Sequence, residues 1–183
     1  MSDSLFRAEI LGVHVEPQTA TTIVLLGGEE GDHRVLPIFV GPAEAQAIAI
    51  GLSGVVTPRP MTHDLLADVL AGTGNTIRQI TVTELREGTF YAELTIDGPA
   101  GETIISCRPS DGIALATRLD LPVHVDRDLF ELASVAIESD SELGEEEIEA
   151  IVSEFQTFLE SAEPEDFVTD EDSDEEEETG EEE

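Results

Sequence analysis

Lysine is absent from this chain of 183 residues: its 8 basic residues are all arginine, set against 42 acids for a net charge of −34. Cysteine is nearly absent as well, and a lone Cys107 excludes an internal disulfide and fits a reducing cytosol. No apolar run approaches the length that spans a bilayer, and the polar, acidic start Met1-Ser2-Asp3-Ser4 does not resemble a signal peptide. The expectation is a cytoplasmic protein with no membrane partner. His14, His33, His63 and His124 are scattered without paired spacing, which argues against zinc. Phosphate-cradling glycine loops are missing too. Gly27-Gly28 reads as a hairpin turn, and Gly72-Thr73-Gly74 follows a helix instead of opening one.

What is abundant is acid, and it is unevenly placed. Residues 161–183 hold 14 acids and no base, which leaves 28 acids against 8 arginines, or −20, in the rest of the chain. The segment 169–183 has nothing apolar to bury and is expected to be a disordered acidic tail. The excess outside it has two readings. One is an acidic protein that repels nucleic acid. The other is adaptation to molar intracellular salt, where self-repulsion is screened within about 3 Å. Missing lysine, few large aromatics and many Ala, Val and Gly favour the halophilic reading.

An internal echo runs through the chain, with residues 5–52 resembling 76–119. Val40-Gly41-Pro42-Ala43-Glu44-Ala45 answers Cys107-Arg108-Pro109-Ser110-Asp111-Gly112 at a constant offset (107 − 40 = 67). Pro42/Pro109, Glu44/Asp111, Ala47/Ala114 and Leu52/Leu119 all fall in register. Two β-rich units, each of three strands followed by a helix, are therefore expected, with a carboxylate in the first turn of each helix.

Local patterning agrees. Phe6, Ala8 and Ile10 alternate, Thr22–Leu26 and Val35–Val40 are β-prone, and Pro42 opens a helix with Ala45, Ile48, Ala49 and Leu52 on one stripe. Strands are expected again over 76–84, 89–96 and 102–107, then a helix in which Gly112, Leu115, Ala116 and Leu119 repeat the first helix's stripe. Between the units, a helix carries Leu65, Leu66, Val69 and Leu70. Pro122–Val125 is a short further strand, and Ile148, Ile151, Val152, Phe155, Phe158 and Leu159 form the stripe of a last helix. Strands and helices come in blocks, so the class is α+β, a mixed sheet with packed helices. The organisation is a domain over 1–133, a linker and amphipathic helix over 134–168, and the tail.

Leu36-Pro37-Ile38-Phe39-Val40-Gly41-Pro42-Ala43-Glu44-Ala45, Arg59-Pro60-Met61-Thr62-His63-Asp64-Leu65-Leu66 and Arg108-Pro109-Ser110-Asp111-Gly112-Ile113-Ala114 together resemble the bifunctional nuclease domain family. That resemblance implies action on DNA and RNA and covers the first two-thirds of the chain. Gly112 departs from the family's usual Ala. It should loosen its helix by up to about 1 kcal/mol unless it sits at a close packing contact.

Phosphodiester cleavage needs an activated nucleophile, a proton donor and positive charge on the phosphate. Arg59, His63 and Asp64 can supply a phosphate grip, a general acid or base and an orienting carboxylate from one segment. Equally open is a structural role, with Thr62 capping a helix and His63 and Asp64 in its exposed first turn. Arg108, Ser110 and Asp111 offer a second phosphate cradle at a helix start, against an alternative in which Ser110 caps and Arg108 pairs with a nearby acid. Glu44, Asp64 and Asp111 are hard oxygen donors suited to magnesium or manganese. Cys107 aligns with Val40 and reads as a small core residue, not a nucleophile.

Three functions fit these residues. The first is a nuclease acting on DNA or RNA, with His63, Asp64 and Asp111 catalytic and Arg59, Arg108 and Ser110 on the phosphate. The second is a non-catalytic regulatory module that binds a nucleotide or a protein. The third is a homo-oligomer, its last amphipathic helix packed against a second subunit.

Overall fold

A computed structural model of the chain describes residues 4–16, 20–137 and 144–161. The expected acidic tail lies outside the described residues. Thirteen elements alternate in blocks: β1 (Leu5–Val15), β2 (Thr22–Gly27), β3 (Arg34–Val40), α1 (Pro42–Leu52), α2 (Thr62–Gly72), β4 (Thr76–Arg86), β5 (Thr89–Gly98), β6 (Gly101–Cys107), α3 (Pro109–Leu119), β7 (Val123–Asp126), α4 (Arg127–Ala133), β8 (Val135–Ala136) and α5 (Glu145–Ser161). The eight strands form one sheet in the order β6-β5-β4-β7-β1-β2-β3-β8. All neighbours are antiparallel except β4 and β7, so the sheet is mixed and the class α+β.

Each side of the sheet is a three-stranded antiparallel run leading into an 11-residue helix that opens on a proline, Pro42 for α1 and Pro109 for α3. Proline suits this place because the first helical N–H has no partner to lose. β7 joins the two sides by pairing parallel with β4 and antiparallel with β1.

The core is thickest around β2, whose six residues are all buried, so both faces of that strand are covered. α5 supplies part of the cover. Its Ile148, Ile151, Val152 and Phe155 are buried, and the Phe155 ring lies 5.4 Å from Phe39 on β3 and 5.9 Å from Phe90 on β5. The stripe expected to dock a second subunit is therefore spent on the chain's own sheet. α2 differs in having no buried residue. Leu65, Leu66 and Val69, apolar residues of that expected helix, are exposed.

Gly112 is explained by packing. A Cβ there would stand 2.7 Å from Ile80 Cγ2 and 3.4 Å from Cys107 Sγ, so α3 lies against β4 at a distance only glycine permits. Cys107 packs at the margin of the same core, and burial, with the Asp111 charge behind it, pushes its thiol up to about 11. Such a thiol stays protonated at neutral pH and is a poor nucleophile.

Candidate active site at three helix starts

α1, α2 and α3 start alike. The residues before them, Gly41, Met61 and Arg108, are extended, and none makes a side-chain capping bond. The third residue of each helix is an acid: Glu44, Asp64 and Asp111. An acid here faces the positive end of the helix dipole. Thr62 and Ser110, expected as caps, are instead the first and second residues of their helices, and Ser110 is buried. At α2 the capping is done by Asp64, whose Oδ2 accepts the Met61 N–H at 2.9 Å.

Tertiary packing then brings these starts together. His63 Nε2 lies 3.2 Å from Asp111 Oδ1, joining α2 to α3. Arg108 donates from Nε to Asp111 Oδ2 at 2.7 Å and from Nη2 to Oδ1 at 3.0 Å, a two-pronged grip on one carboxylate. The same Nη2 reaches Glu44 Oε1 of α1, also at 3.0 Å. Glu44 folds back over Gly41, into space that a Cβ at that position would fill. Burial alone would raise the Asp111 pKa, but the hydrogen bonds and charges of Arg108 and His63 outweigh it and hold the carboxyl below its ordinary value. The Arg108 guanidinium is held above its own ordinary value by Asp111 first and Glu44 second. The result is one cluster: Glu44, His63, Arg108 and Asp111. Its histidine side chain is only 11% exposed while its arginine is 65% exposed.

The other candidates fall outside this contact set. Arg59 is exposed on the loop ahead of α2 and forms no ion pair among the described residues. Asp64 turns away from His63's partner and binds Arg118 Nε through Oδ1 at 2.6 Å. Arg118, which sequence reasoning missed, is 7% exposed. Its Nη1 donates to the carbonyls of Ala47 at 2.7 Å and Ala114 at 3.0 Å. It therefore ties α1, α2 and α3 to one another and fixes the turn that carries His63. A signal for it was present: Arg118 is three residues past Leu115, a charge on the phase of an apolar stripe.

The three carboxylates expected to hold magnesium or manganese do not converge. Asp64 belongs to Arg118, and the guanidinium of Arg108 stands between Glu44 and Asp111. Among the described residues, no group of three or more His, Cys, Asp or Glu side chains has metal-holding geometry. The donor set present does not fit such an ion.

A cavity of about 370 Å³ adjoins the Asp64–Arg118 pair, walled by Ile50, Val55, Val56 and Pro60. A larger cleft, about 1140 Å³, includes none of the cluster. Its wall carries Glu9, Glu29, Glu30, Asp32 and Asp120 against only Arg7 and Arg34, and Arg34 is already paired with Asp32 and Glu131. Such a wall repels phosphate, so the helix-start cluster is the better candidate although neither cavity is lined by its residues.

Among the described residues no helix is long and apolar enough to cross a membrane. The chain is similar to an uncharacterized protein of Mycobacterium tuberculosis (strain H37Rv), 39% identical over 163 residues that cover 88% of this chain and 97% of that one. It is also similar to bifunctional nuclease 1 of Oryza sativa subsp. indica, 28% identical over 107 residues, or 57% of this chain and 32% of the rice protein. Bifunctional nuclease 1 of Arabidopsis thaliana is 26% identical over 119 residues, 63% of this chain and 37% of its own length. The chain thus aligns with about a third of each plant protein. The family profile of the bifunctional nuclease domain matches residues 24–138, well over half of these 183 residues, and the chain belongs to that family.

Proposed function

We propose that this domain hydrolyses phosphodiester bonds in DNA or RNA at the Glu44–His63–Arg108–Asp111 cluster. The observation that carries the reading is the 3.2 Å contact between His63 Nε2 and Asp111 Oδ1 at a convergence of helix starts. Asp111 orients the imidazole, and His63 takes a proton from the attacking water or gives one to the leaving oxygen. Arg108, the exposed cation of the cluster, exchanges a carboxylate for a phosphate oxygen when substrate arrives, and Glu44 holds it in place until then. Arg59 is close in sequence to His63 and offers a second cation for the backbone. Ser110 and Asp64 support the two helix turns. The acid-rich, lysine-free composition favours work in concentrated salt, within the cytosol that the lone Cys107 suits.

The test is a cleavage assay on single- and double-stranded DNA and RNA in molar potassium chloride, with and without chelator. His63→Ala should lose on the order of 10²–10⁴-fold in rate. A His63→Ala variant as active as wild type would overturn the assignment.

The rival reading is a regulatory module that binds nucleotide or protein without cleaving. It is favoured by the commitment of Arg108 to two carboxylates, which leaves no unpaired cation inside the cluster. No cleavage by wild type, together with binding that is lost in Arg108→Ala, would select it.

A further inference from the structure

Among the described residues, four side-chain atoms are buried without a hydrogen-bond partner: His14 Nε2, His124 Nδ1, Ser134 Oγ and Arg118 Nη2. Arg118 Nη2 differs from the rest because it belongs to a permanently charged group. A buried donor of this kind weakens a fold unless something accepts from it. The Arg118 side chain is 7% exposed, and its other two nitrogens are spent. Nε donates to Asp64 Oδ1 at 2.6 Å, and Nη1 donates to the carbonyls of Ala47 at 2.7 Å and Ala114 at 3.0 Å. Those bonds account for tying three helices together. They leave Nη2 unexplained.

Arg118 stands in the wall of the cavity of about 370 Å³, with Asp64, Thr57 and Thr117 beside it and apolar side chains making up the rest. Both hydroxyls have already given their protons, Thr57 to the Arg59 carbonyl at 2.7 Å and Thr117 to the Ala114 carbonyl at 3.0 Å. They can only accept. Asp64 takes one hydrogen bond on each oxygen, from the Met61 N–H and from Arg118 Nε, and keeps further lone pairs on both. The side chains of the cavity therefore offer one donor, Nη2, next to several acceptors. Charge narrows what fits. Asp64 cancels Arg118, so the site has no surplus of positive charge, in a chain of −34. A phosphate would enter an apolar-walled space with a single donor to meet it, at a high desolvation cost. A neutral planar group with an acceptor beside a donor satisfies Nη2 and Asp64 together. Every nucleobase carries such a pair on its pairing edge.

We propose, resting on the nuclease reading for the class of ligand, that this cavity takes a nucleobase of the substrate strand. Arg118 Nη2 donates to the base's carbonyl oxygen or ring nitrogen, and Asp64 accepts from the N–H beside it. The flat faces of the base lie against Val55, Val56 and Pro60. His63 and Asp64 are consecutive residues in the first turn of α2, so that one turn serves both the cluster and the cavity. The two arginines divide the strand by charge: exposed Arg108 meets the anionic backbone and buried Arg118 meets a neutral base. Since all four bases carry a donor beside an acceptor, the cavity holds a base without choosing strongly among them. Its hold does not depend on neutralising phosphate. It therefore persists in molar salt, where phosphate contacts weaken.

NMR titration of the full chain with adenosine and with uridine in molar potassium chloride tests the proposal, with inorganic phosphate as the opposing probe. Either nucleoside should shift the backbone amides of Val55, Val56, Thr57 and Thr117, with half-saturation on the order of 1 mM. Phosphate should leave them in place. Val55→Glu combined with Val56→Glu changes two exposed residues, so the fold is kept while charge enters the apolar wall. Nucleoside affinity should then fall on the order of tenfold or more. Arg118→Lys keeps the charge and removes Nη2, and should fall likewise where its circular dichroism matches wild type. Ile104→Ser, exposed on β6, should bind as wild type does. Nucleosides that move none of these amides, or phosphate that moves them instead, would overturn the proposal. So would a valine double variant or a folded Arg118→Lys variant that binds normally. Cleavage is measured separately on the same preparations. Nucleoside binding by a chain that cuts nothing keeps the base cavity and removes the nuclease, whereas cleavage without nucleoside binding removes the base cavity alone.

Discussion

The two sides of the sheet are built from the same succession of elements and finished differently. On the β1-β2-β3 side, β2 is buried throughout and α5 lays Phe155 against Phe39. On the β4-β5-β6 side the sheet runs out into solvent at β6. The helices differ in the reverse sense. α1 begins at Gly41 and contributes only Glu44 to the cluster, whereas α3 begins at Arg108 and contributes Asp111 and the cation. One side is finished for stability, and the other keeps its polar groups and its edge available.

Removing the cover should have the largest effect. Phe155→Ala deletes a fully buried ring from α5 and should destabilise the fold by about 3–5 kcal/mol in chemical denaturation. Ile104→Ser, at the bare edge, should move the same midpoint within about 0.5 kcal/mol. Equal losses at the two sites would erase the contrast.

The helix positions related by the offset of 67 give a sharper probe. Gly112→Ala would force a methyl to within 2.7 Å of Ile80 Cγ2, and should cost about 1–3 kcal/mol even though alanine is the better helix former. Its counterpart Ala45 is buried without glycine, so Ala45→Gly should cost up to about 1 kcal/mol, and for the opposite reason. Denaturation midpoints that rise on Gly112→Ala would show that α3 can move off β4.

Acid should act on the two sides unequally. Hydrogen bonds from Arg127 to Glu29 and from Arg34 to Asp32 and Glu131 hold these carboxyls below their ordinary values, and all three serve the β1-β2-β3 side. Each takes up its proton more readily in the unfolded chain. Their pairing therefore stabilises the fold above about pH 4 and is lost as the pH falls through their lower folded values. His14 on β1 and His124 on β7 are held below 6.5, both by burial and His124 also by the Arg7 charge. A depressed histidine favours the fold fully above 6.5 and progressively less as the pH falls below it. Hydrogen exchange between pH 7 and pH 3 should therefore show β1 and β2 loosening before β5, whose side carries Asp111 of α3 as its carboxyl held low. Loosening of β5 first would reverse the order.

Much of the fold was legible because alternation and helical stripes are local. The helices at Pro42 and Pro109, the strands before them and the stripe of the last helix all stand where the residues indicated. α4 was missed although Asp126 caps it, accepting the N–H groups of Asp128 at 2.9 Å and Leu129 at 3.3 Å. Seven residues are too few for a stripe to show. β8 exists only because Arg34 and Val35 give it partners. The α2 helix was legible from Leu65, Leu66, Val69 and Leu70, but the pattern did not tell whether they are covered, since that depends on what else is near.

By itself the sequence determined most of the elements, the surplus of acid, and the segments that mark the family, because propensity, charge and motif are properties of short stretches. It also placed a carboxylate in the first turn of three helices. Only the tertiary structure decided what those carboxylates do. Asp111 met His63 across 48 residues of chain, Asp64 met Arg118 across 54, and Glu44 met Asp111's own arginine. Ion pairs and hydrogen bonds act over a few ångströms in space with no regard to separation along the chain. The same acid at the same helical position becomes an orienting group, a clamp or a counter-ion according to which helix packs beside it.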